Sequence, residues 1–193
     1  MARERQAQKR ERRPPRPLDA AHLAQLALTY VARFATSAAK LERYLIRKLR
    51  ERGWEGEDEP DTAALVARYV ELGYVDDTAF ARARSGSLLR RGYGPARVRQ
   101  ALGEAGIDEE IRTAVQPGEA AERRAALALA RKRGFGPFSR SGVRAPIDRA
   151  RREKQLAAML RAGHRLDSAR EMVDAATEAA AEQWAAELDD EEG

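Results

Sequence analysis

A spacing of large residues around glycine occurs four times in this chain. Each time, a large residue is followed four positions later by Gly, and a second large residue comes next. The four sets are Leu49/Gly53/Trp54, Tyr69/Gly73/Tyr74, Leu102/Gly106/Ile107 and Met159/Gly163/His164. In a Schellman ending, a Gly past the last helical turn takes the left-handed conformation and the next residue contacts that turn. The spacing therefore predicts four helices that end in the same way.

A second pattern combines glycine with an aromatic residue and proline. Residues 91–95 read Arg-Gly-Tyr-Gly-Pro, and residues 133–137 read Arg-Gly-Phe-Gly-Pro. Repeated helix signals at comparable spacing are typical of tandem arrays in which each unit packs on its neighbour. Four ordinary helix ends in an unrelated bundle are the alternative, but both patterns keep the same order within a unit. Because no strand pattern occurs, we predict an all-α fold, an elongated tandem array of three-helix, helix-turn-helix-like repeats.

Residues 73–81 join two helices within a few positions. Gly73 is expected to end one helix, with Tyr74 against its last turn, and Asp77 to cap the next helix, which runs through Phe80. Asp76 and Asp77 are therefore interpreted as capping residues rather than as a catalytic carboxylate pair. The structural residues of the repeats are predicted to be Gly53, Gly73, Tyr74, Asp77, Phe80, Gly94, Pro95 and Gly106.

These signals divide the chain into five segments. We expect a flexible basic arm at 1–17, three-helix repeats at 18–77, 78–117 and 118–186, and an acidic tail at 187–193. The third repeat contains a longer internal loop, and its last helix is expected to run from near Asp167 past Trp184.

Positive charge is concentrated in the middle of the chain. The net charge is +5, but residues 118–163 alone hold twelve basic and four acidic side chains, and 78–117 hold seven and four. The segments 18–77 and 164–186 each have a net charge of −3. A cationic midsection of this kind is expected to attract a polyanion or an acidic protein groove.

The candidate contact residues are the basic side chains of this midsection. Solvated helix faces, or cations that stabilise helix C-termini, are the alternative for any single residue. The excess within one stretch favours binding for the cluster. The candidates are Arg82, Arg84, Arg90, Arg91, Arg97, Arg131, Lys132, Arg133 and Arg144.

The sequence offers poor candidates for catalysis. It has no cysteine, and its two histidines, His22 and His164, lack metal-ligand spacing. His164 follows Gly163, so a packing role is expected. The two glycine loops lack the Lys-Ser ending of a phosphate-binding loop, and no strand precedes them. We therefore expect no enzyme activity, catalytic residue, metal or cofactor.

With no apolar run of membrane-spanning length and no signal peptide, we expect a cytoplasmic protein without membrane contacts.

Several stretches in the same order resemble the RecX family, the regulators of the bacterial recombinase RecA. They are Ser37–Leu41 continuing to Leu45, Arg47–Leu49, Arg52–Trp54, Gly73–Asp77 with Phe80-Ala81, Gly92–Pro95 with Arg97 and Val98, and Leu102 with Gly106-Ile107. The resemblance runs from about Leu18 to Val173 and is looser in the third repeat.

The resemblance implies a non-enzymatic modulator built of three-helix repeats. We expect the array to be curved, because a curved helical rod with a cationic middle can follow the groove of a filament. Family members bind RecA filaments on single-stranded DNA and restrain strand exchange, ATP hydrolysis and co-protease activity, in DNA repair and the SOS response. The implied partners are the RecA filament and single-stranded, or also duplex, DNA through phosphate contacts. We expect the protein to be a monomer. The exposed arginines are the expected contacts, while Tyr74 and Phe80 are expected to hold the repeat together.

Two other classes remain open. Short helices with tight turns also occur in direct DNA-binding regulators of the helix-turn-helix type, which would act without RecA. A passive helical scaffold would not depend on the charges at Arg131, Lys132 and Arg133.

Overall fold

The computed structural model describes residues 16–139 and 148–188, and these residues fold into helices. The ten α-helices are α1 (Ala20–Arg33), α2 (Ala38–Arg52), α3 (Thr62–Glu71), α4 (Asp77–Arg90), α5 (Pro95–Glu104), α6 (Glu109–Ala114), α7 (Glu119–Arg133), α8 (Arg149–Arg161), α9 (Leu166–Asp174) and α10 (Glu178–Ala186). A 3-10 turn spans Gly136–Phe138. Within the described ranges there is no strand, only an isolated bridge between Leu18 and Trp54. The all-α prediction is confirmed for this part of the chain.

Three small hydrophobic cores follow one another along the sequence. The first core packs α1, α2 and α3 around Leu23, Leu41 and Leu45. The second core is formed by α4, α5 and α6, and the third by α7 to α10. Helix α4 also packs on α7, which joins the second core to the third. Each core is buried by short helices and by contact with its neighbour, as in tandem helical arrays.

Five glycine helix ends share one geometry. Gly73, Gly92, Gly106, Gly134 and Gly163 have positive φ angles, and the residue after each donates its N–H to the carbonyl five positions earlier. Three of the four endings predicted from the first pattern are therefore Schellman endings, and both glycines that open the second pattern form one as well.

Gly53 is the exception, and its predicted Schellman ending is wrong. Its φ of 81° and ψ of 174° send the chain on in an extended direction. The Gly53 carbonyl accepts from the Leu18 N–H at 3.0 Å, and the Glu55 N–H donates to the Leu18 carbonyl at 2.9 Å. Leu18 itself is fully buried in the first core. After Gly53, the backbone thus pairs with the segment before α1 instead of folding back to form a Schellman hydrogen bond with α2.

Asp77 does not cap its own helix, contrary to the prediction. Asp76 caps α4 by accepting from the Ala79 N–H at 2.8 Å. The Asp77 carboxylate instead accepts from the Ala38 N–H at 2.9 Å. Ala38 is the first residue of α2, whose opening amides have no partner within the helix. Asp77 therefore connects the first core to the second.

The two motif aromatics differ in their packing. Phe80 is partly buried against the second core, and the Lys40 ammonium lies 5.2 Å from its ring centroid, so this contact also links α2 to α4. The Tyr74 ring lies 5.7 Å from the Tyr69 ring centroid, yet Tyr74 is 56% exposed.

The last predicted helix is broken into two. Helix α9 ends at Asp174, and Thr177 caps α10 by accepting from the Ala180 N–H at 3.1 Å. Helix α10 folds back onto α7, where the Arg123 guanidinium lies 4.6 Å from the Trp184 ring centroid. Residues 118–186 thus contain four described α-helices where three are predicted, because Thr177 starts a new helix that covers α7.

The contact between Gly106 and Ala39 provides a test of how the first core packs against the second. Gly106 has a φ of 74°, and a Cβ at this position would overlap the Ala39 side chain. We expect Gly106→Ala to lower the free energy of unfolding by about 3 kcal/mol, of which about 1–2 come from the left-handed backbone and the rest from overpacking. Urea unfolding measures the change.

Gly73→Ala is the matched control, because Gly73 has a φ of 73° and no atom within 4 Å of an added Cβ. Only the backbone cost of about 1–2 kcal/mol is expected there. Equal losses in the two variants would contradict a close contact between Gly106 and α2.

Candidate polyanion-binding cleft

Four basic side chains surround a cleft between the second and third cores. Arg91 follows α4, Lys132 and Arg133 end α7, and Arg161 ends α8. The cleft has a volume of about 240 Å³, and Tyr93 lines it together with Phe135. These two rings are the aromatic residues of the second sequence pattern.

Backbone hydrogen bonds between the two cores fix the shape of the cleft. The Gly94 N–H donates to the Ala162 carbonyl at 2.9 Å, and the Ala96 N–H donates to the Gly163 carbonyl at 3.1 Å. A Cβ on Gly94 would overlap the backbone of Gly163, and a Cβ on Gly163 would overlap the backbone of Arg97. The absence of side chains lets the two turns touch, so Arg91 and Arg161 are held on opposite sides of one joint.

His164 completes this joint. Its side chain is buried, with 5% of the residue exposed, and the ring Nε2 lies 2.9 Å from the Gly92 carbonyl oxygen. Burial lowers the pKa of His164 below its ordinary value of 6.5, although the bond to the Gly92 carbonyl acts in the opposite direction. The neutral ring therefore donates its Nε2–H to Gly92 near neutral pH. The predicted packing role of His164 fits this position.

The cations of the cleft have no carboxylate partner among residues 16–139 and 148–188. Arg91, Lys132, Arg133 and Arg161 are exposed, and none forms an ion pair within these ranges. The Arg91 guanidinium carbon lies 5.3 Å from the Tyr93 ring centroid. Four uncompensated positive charges around one concavity raise the local concentration of anions.

A second hollow extends the cationic surface along α7 and α8. It has a volume of about 440 Å³, and Lys132 and Arg133 line it together with Arg131 and Arg151. Arg131 is paired with Glu182 and lies near the Phe138 ring, while Arg151 donates to the Ser139 hydroxyl. The surface thus continues from Arg91 to Arg151, and among its described cations Arg131 has a carboxylate partner.

Among the predicted contact residues, Arg91, Lys132 and Arg133 come together in the cleft, and Arg131 lies in the adjoining hollow. Four others are exposed but line neither cavity: Arg82, Arg84, Arg90 and Arg97. Arg144 lies outside the described residues.

Arg161 is missing from the sequence-based candidates. It precedes Gly163 by two positions, as Arg90 precedes Gly92 and Lys132 precedes Gly134. A search for cations at every glycine-ended helix would have found it, because basic residues are favoured in the last turn of a helix.

Two further searches cover the described residues only. No group of three or more His, Asp or Glu side chains in residues 16–139 and 148–188 is arranged to hold a metal ion. Nor does any helix in these ranges have the length and apolar composition needed to cross a membrane.

Comparison with known proteins gives consistent matches. A family model described as "RecX, second three-helix domain" matches residues 76–115. The chain is 32% identical over 177 residues to the regulatory protein RecX of Myxococcus xanthus (strain DK1622), which covers 86% of this chain and 92% of that protein. It is 39% identical over 127 residues to the regulatory protein RecX of Stenotrophomonas maltophilia (strain R551-3), covering 65% and 72%.

Two crystal structures have a similar fold. RecX from Lactobacillus salivarius matches with a TM-score of 0.62 and 17% identity, over 80% of this chain and 94% of that one. A second structure, described as regulatory protein RecX, has a TM-score of 0.61 and 22% identity, over 80% and 70%. At these identities the likeness shows the shared helical fold.

The lowered pKa of His164 predicts a pH-dependent stability. Because the unfolded chain binds a proton at a higher pH than the native protein, the free energy of unfolding falls as pH falls below about 6.5, the ordinary value. In urea unfolding at pH 7.5 and pH 5.5, the wild type should lose more stability than His164→Gln, which keeps an N–H donor but does not titrate. An equal loss in both proteins would show that His164 is not buried in the neutral form.

Proposed function

Since the chain belongs to the RecX family, we propose that it is a non-enzymatic regulator of RecA that binds RecA filaments on single-stranded DNA. The proposed effect is inhibition of strand exchange, ATP hydrolysis and co-protease activity. This would place the protein in the cytoplasm, in homologous recombination, DNA repair and control of the SOS response, and acting as a monomer.

The cationic cleft is the observation that supports this proposal most strongly. Phosphate groups of nucleic acids bind where several Lys or Arg side chains converge, and the release of counterions contributes to the affinity. Arg91, Lys132, Arg133 and Arg161 converge on one concavity and have no carboxylate partner in the described ranges. A DNA strand in a filament would supply the phosphates that these side chains attract.

The arrangement of the cores provides a second support. Three small cores in series offer a long surface to an extended partner, as helical repeat proteins do. A filament presents the same groove over many protomers, so a serial protein contacts more than one of them. Such binding restrains the movements that accompany ATP hydrolysis without any chemistry by the bound protein.

RecA ATP hydrolysis on single-stranded DNA tests the proposal. Wild-type protein should suppress hydrolysis at amounts up to one per RecA, and Arg91→Ala/Lys132→Ala/Arg133→Ala should require at least about tenfold more protein, since each lost phosphate contact weakens binding. Arg33→Ala/Arg50→Ala/Arg68→Ala removes the same charge from exposed residues of the first core and should inhibit as the wild type does.

Two outcomes would count against the proposal. If the wild type does not suppress hydrolysis even at low salt, RecA is not the partner. If it binds duplex DNA sequence-specifically in a gel-shift assay without RecA, a direct DNA-binding regulator becomes the better account. Equal activity of both triple variants would remove the cleft from the contact surface.

A further inference from the structure

A third concavity lies at the edge of the first core, away from the residues of the cationic cleft. It is a groove of about 520 Å³ between the start of α2 and one face of α3, with Gly106 at its edge. Ala63, Ala67 and Val70 line it from α3, and all three are exposed. Val70 is 46% exposed, which is high for a valine next to a buried core.

The α3 residues form a straight apolar stripe. Positions 63, 67 and 70 follow the spacing that places side chains on one face of a helix. Tyr69 lies on a different face of α3, where its hydroxyl donates to the Ala24 carbonyl at 2.9 Å. Val66 also lines the groove on this side, and it is buried in the first core. The stripe therefore runs along the edge of the first core, where Ala63, Ala67 and Val70 stay exposed. Its two alanines allow close approach of another backbone.

The α2 side of the groove is also lined by small residues. Ala38 and Ala39 line the groove from α2, and Gly106 lines it from the second core. A groove with apolar walls on two helices is the type of surface that accepts the apolar face of an amphipathic helix.

Carboxylates surround the groove, and no Lys or Arg lines it. Glu42 and Glu71 line the groove and form no ion pair in the described ranges. The third carboxylate, Asp77, accepts a hydrogen bond from the Ala38 N–H. Residues 18–77 contain eight basic and eleven acidic side chains, opposite in balance to residues 118–163. Phosphates are repelled from such a surface, whereas Lys and Arg side chains are attracted to it.

We infer that this groove binds an amphipathic helix of the protein partner, one whose apolar stripe is flanked by Lys or Arg. The inference rests on the proposed function, because the partner to be tested is the RecA protomer within the filament. The chain then has two separate contact surfaces. The cationic cleft faces DNA phosphates, and the acidic-edged apolar groove faces protein.

Filling the groove tests the inference. Ala67→Trp places a large ring on the exposed stripe and should weaken binding to RecA filaments on single-stranded DNA by about tenfold or more, as expected when a central interface residue is blocked. Binding to the same DNA without RecA should stay unchanged. Ala64→Trp is the matched control, because Ala64 is exposed on the same helix but does not line the groove, and it should bind as the wild type does.

A charge reversal tests whether the partner helix carries Lys or Arg beside its apolar stripe. This test does not depend on whether Ala67→Trp folds normally. Glu42→Lys/Glu71→Lys should also weaken filament binding about tenfold. Glu57→Lys/Glu59→Lys makes the same change at exposed carboxylates of the first core outside the groove, and it should have little effect.

Four results would overturn the inference, and they are distinguishable. Normal filament binding by Ala67→Trp and by Glu42→Lys/Glu71→Lys rejects the groove but leaves the proposed function intact. Equal weakening on DNA alone identifies a nucleic-acid surface. A wild-type dimer that Ala67→Trp dissociates in sedimentation identifies a second copy as the occupant. If the wild type does not bind RecA filaments at all, the proposed function fails, and the inference fails with it.

Discussion

The direct backbone contact between the turns at Gly94 and Gly163 determines most of what the surface of this protein can do. Two amide hydrogen bonds cross the joint, and the Cβ atoms of ordinary residues would separate the turns. The cationic residues lie on both sides of this contact. If the turns moved apart, the same four charges would remain, but they would no longer surround one cleft. The electrostatic surface is thus a consequence of backbone packing.

A related device joins the first core to the second. Gly106 ends α5 and at the same time touches Ala39 of α2, while the Ser37 hydroxyl donates to the Ala105 carbonyl at 2.6 Å. Glycine therefore has two roles in this fold, to end a helix and to admit a neighbouring helix. The two joints set the positions of the cleft and the groove, so one chain presents a cationic surface and an acidic-edged apolar surface at different places along its length.

The sequence predicts those features that are decided locally. Left-handed glycines and their Schellman bonds depend on a few neighbouring residues, so the endings at Gly73, Gly106 and Gly163 are predicted correctly. The roles of Asp76 and Asp77 are not, because either residue satisfies the local capping rule and only the approach of α2 decides between them. The count of basic residues indicates a cationic midsection. Their convergence on one cleft depends on the packing of α4 against α7, and the spacing of the arginines in the sequence does not predict that packing.

The affinity of Gly94→Ala for single-stranded DNA tests the central claim most directly. Gly94 has a φ of −83°, which alanine adopts without strain, so the variant changes only the space at the joint and no charge. With its helical content intact by circular dichroism, the variant should bind DNA several-fold more weakly in fluorescence anisotropy, because Arg91 and Arg161 are no longer held across one cleft. An unchanged affinity would mean that the cations act as independent surface charges, and that the joint does not create the site.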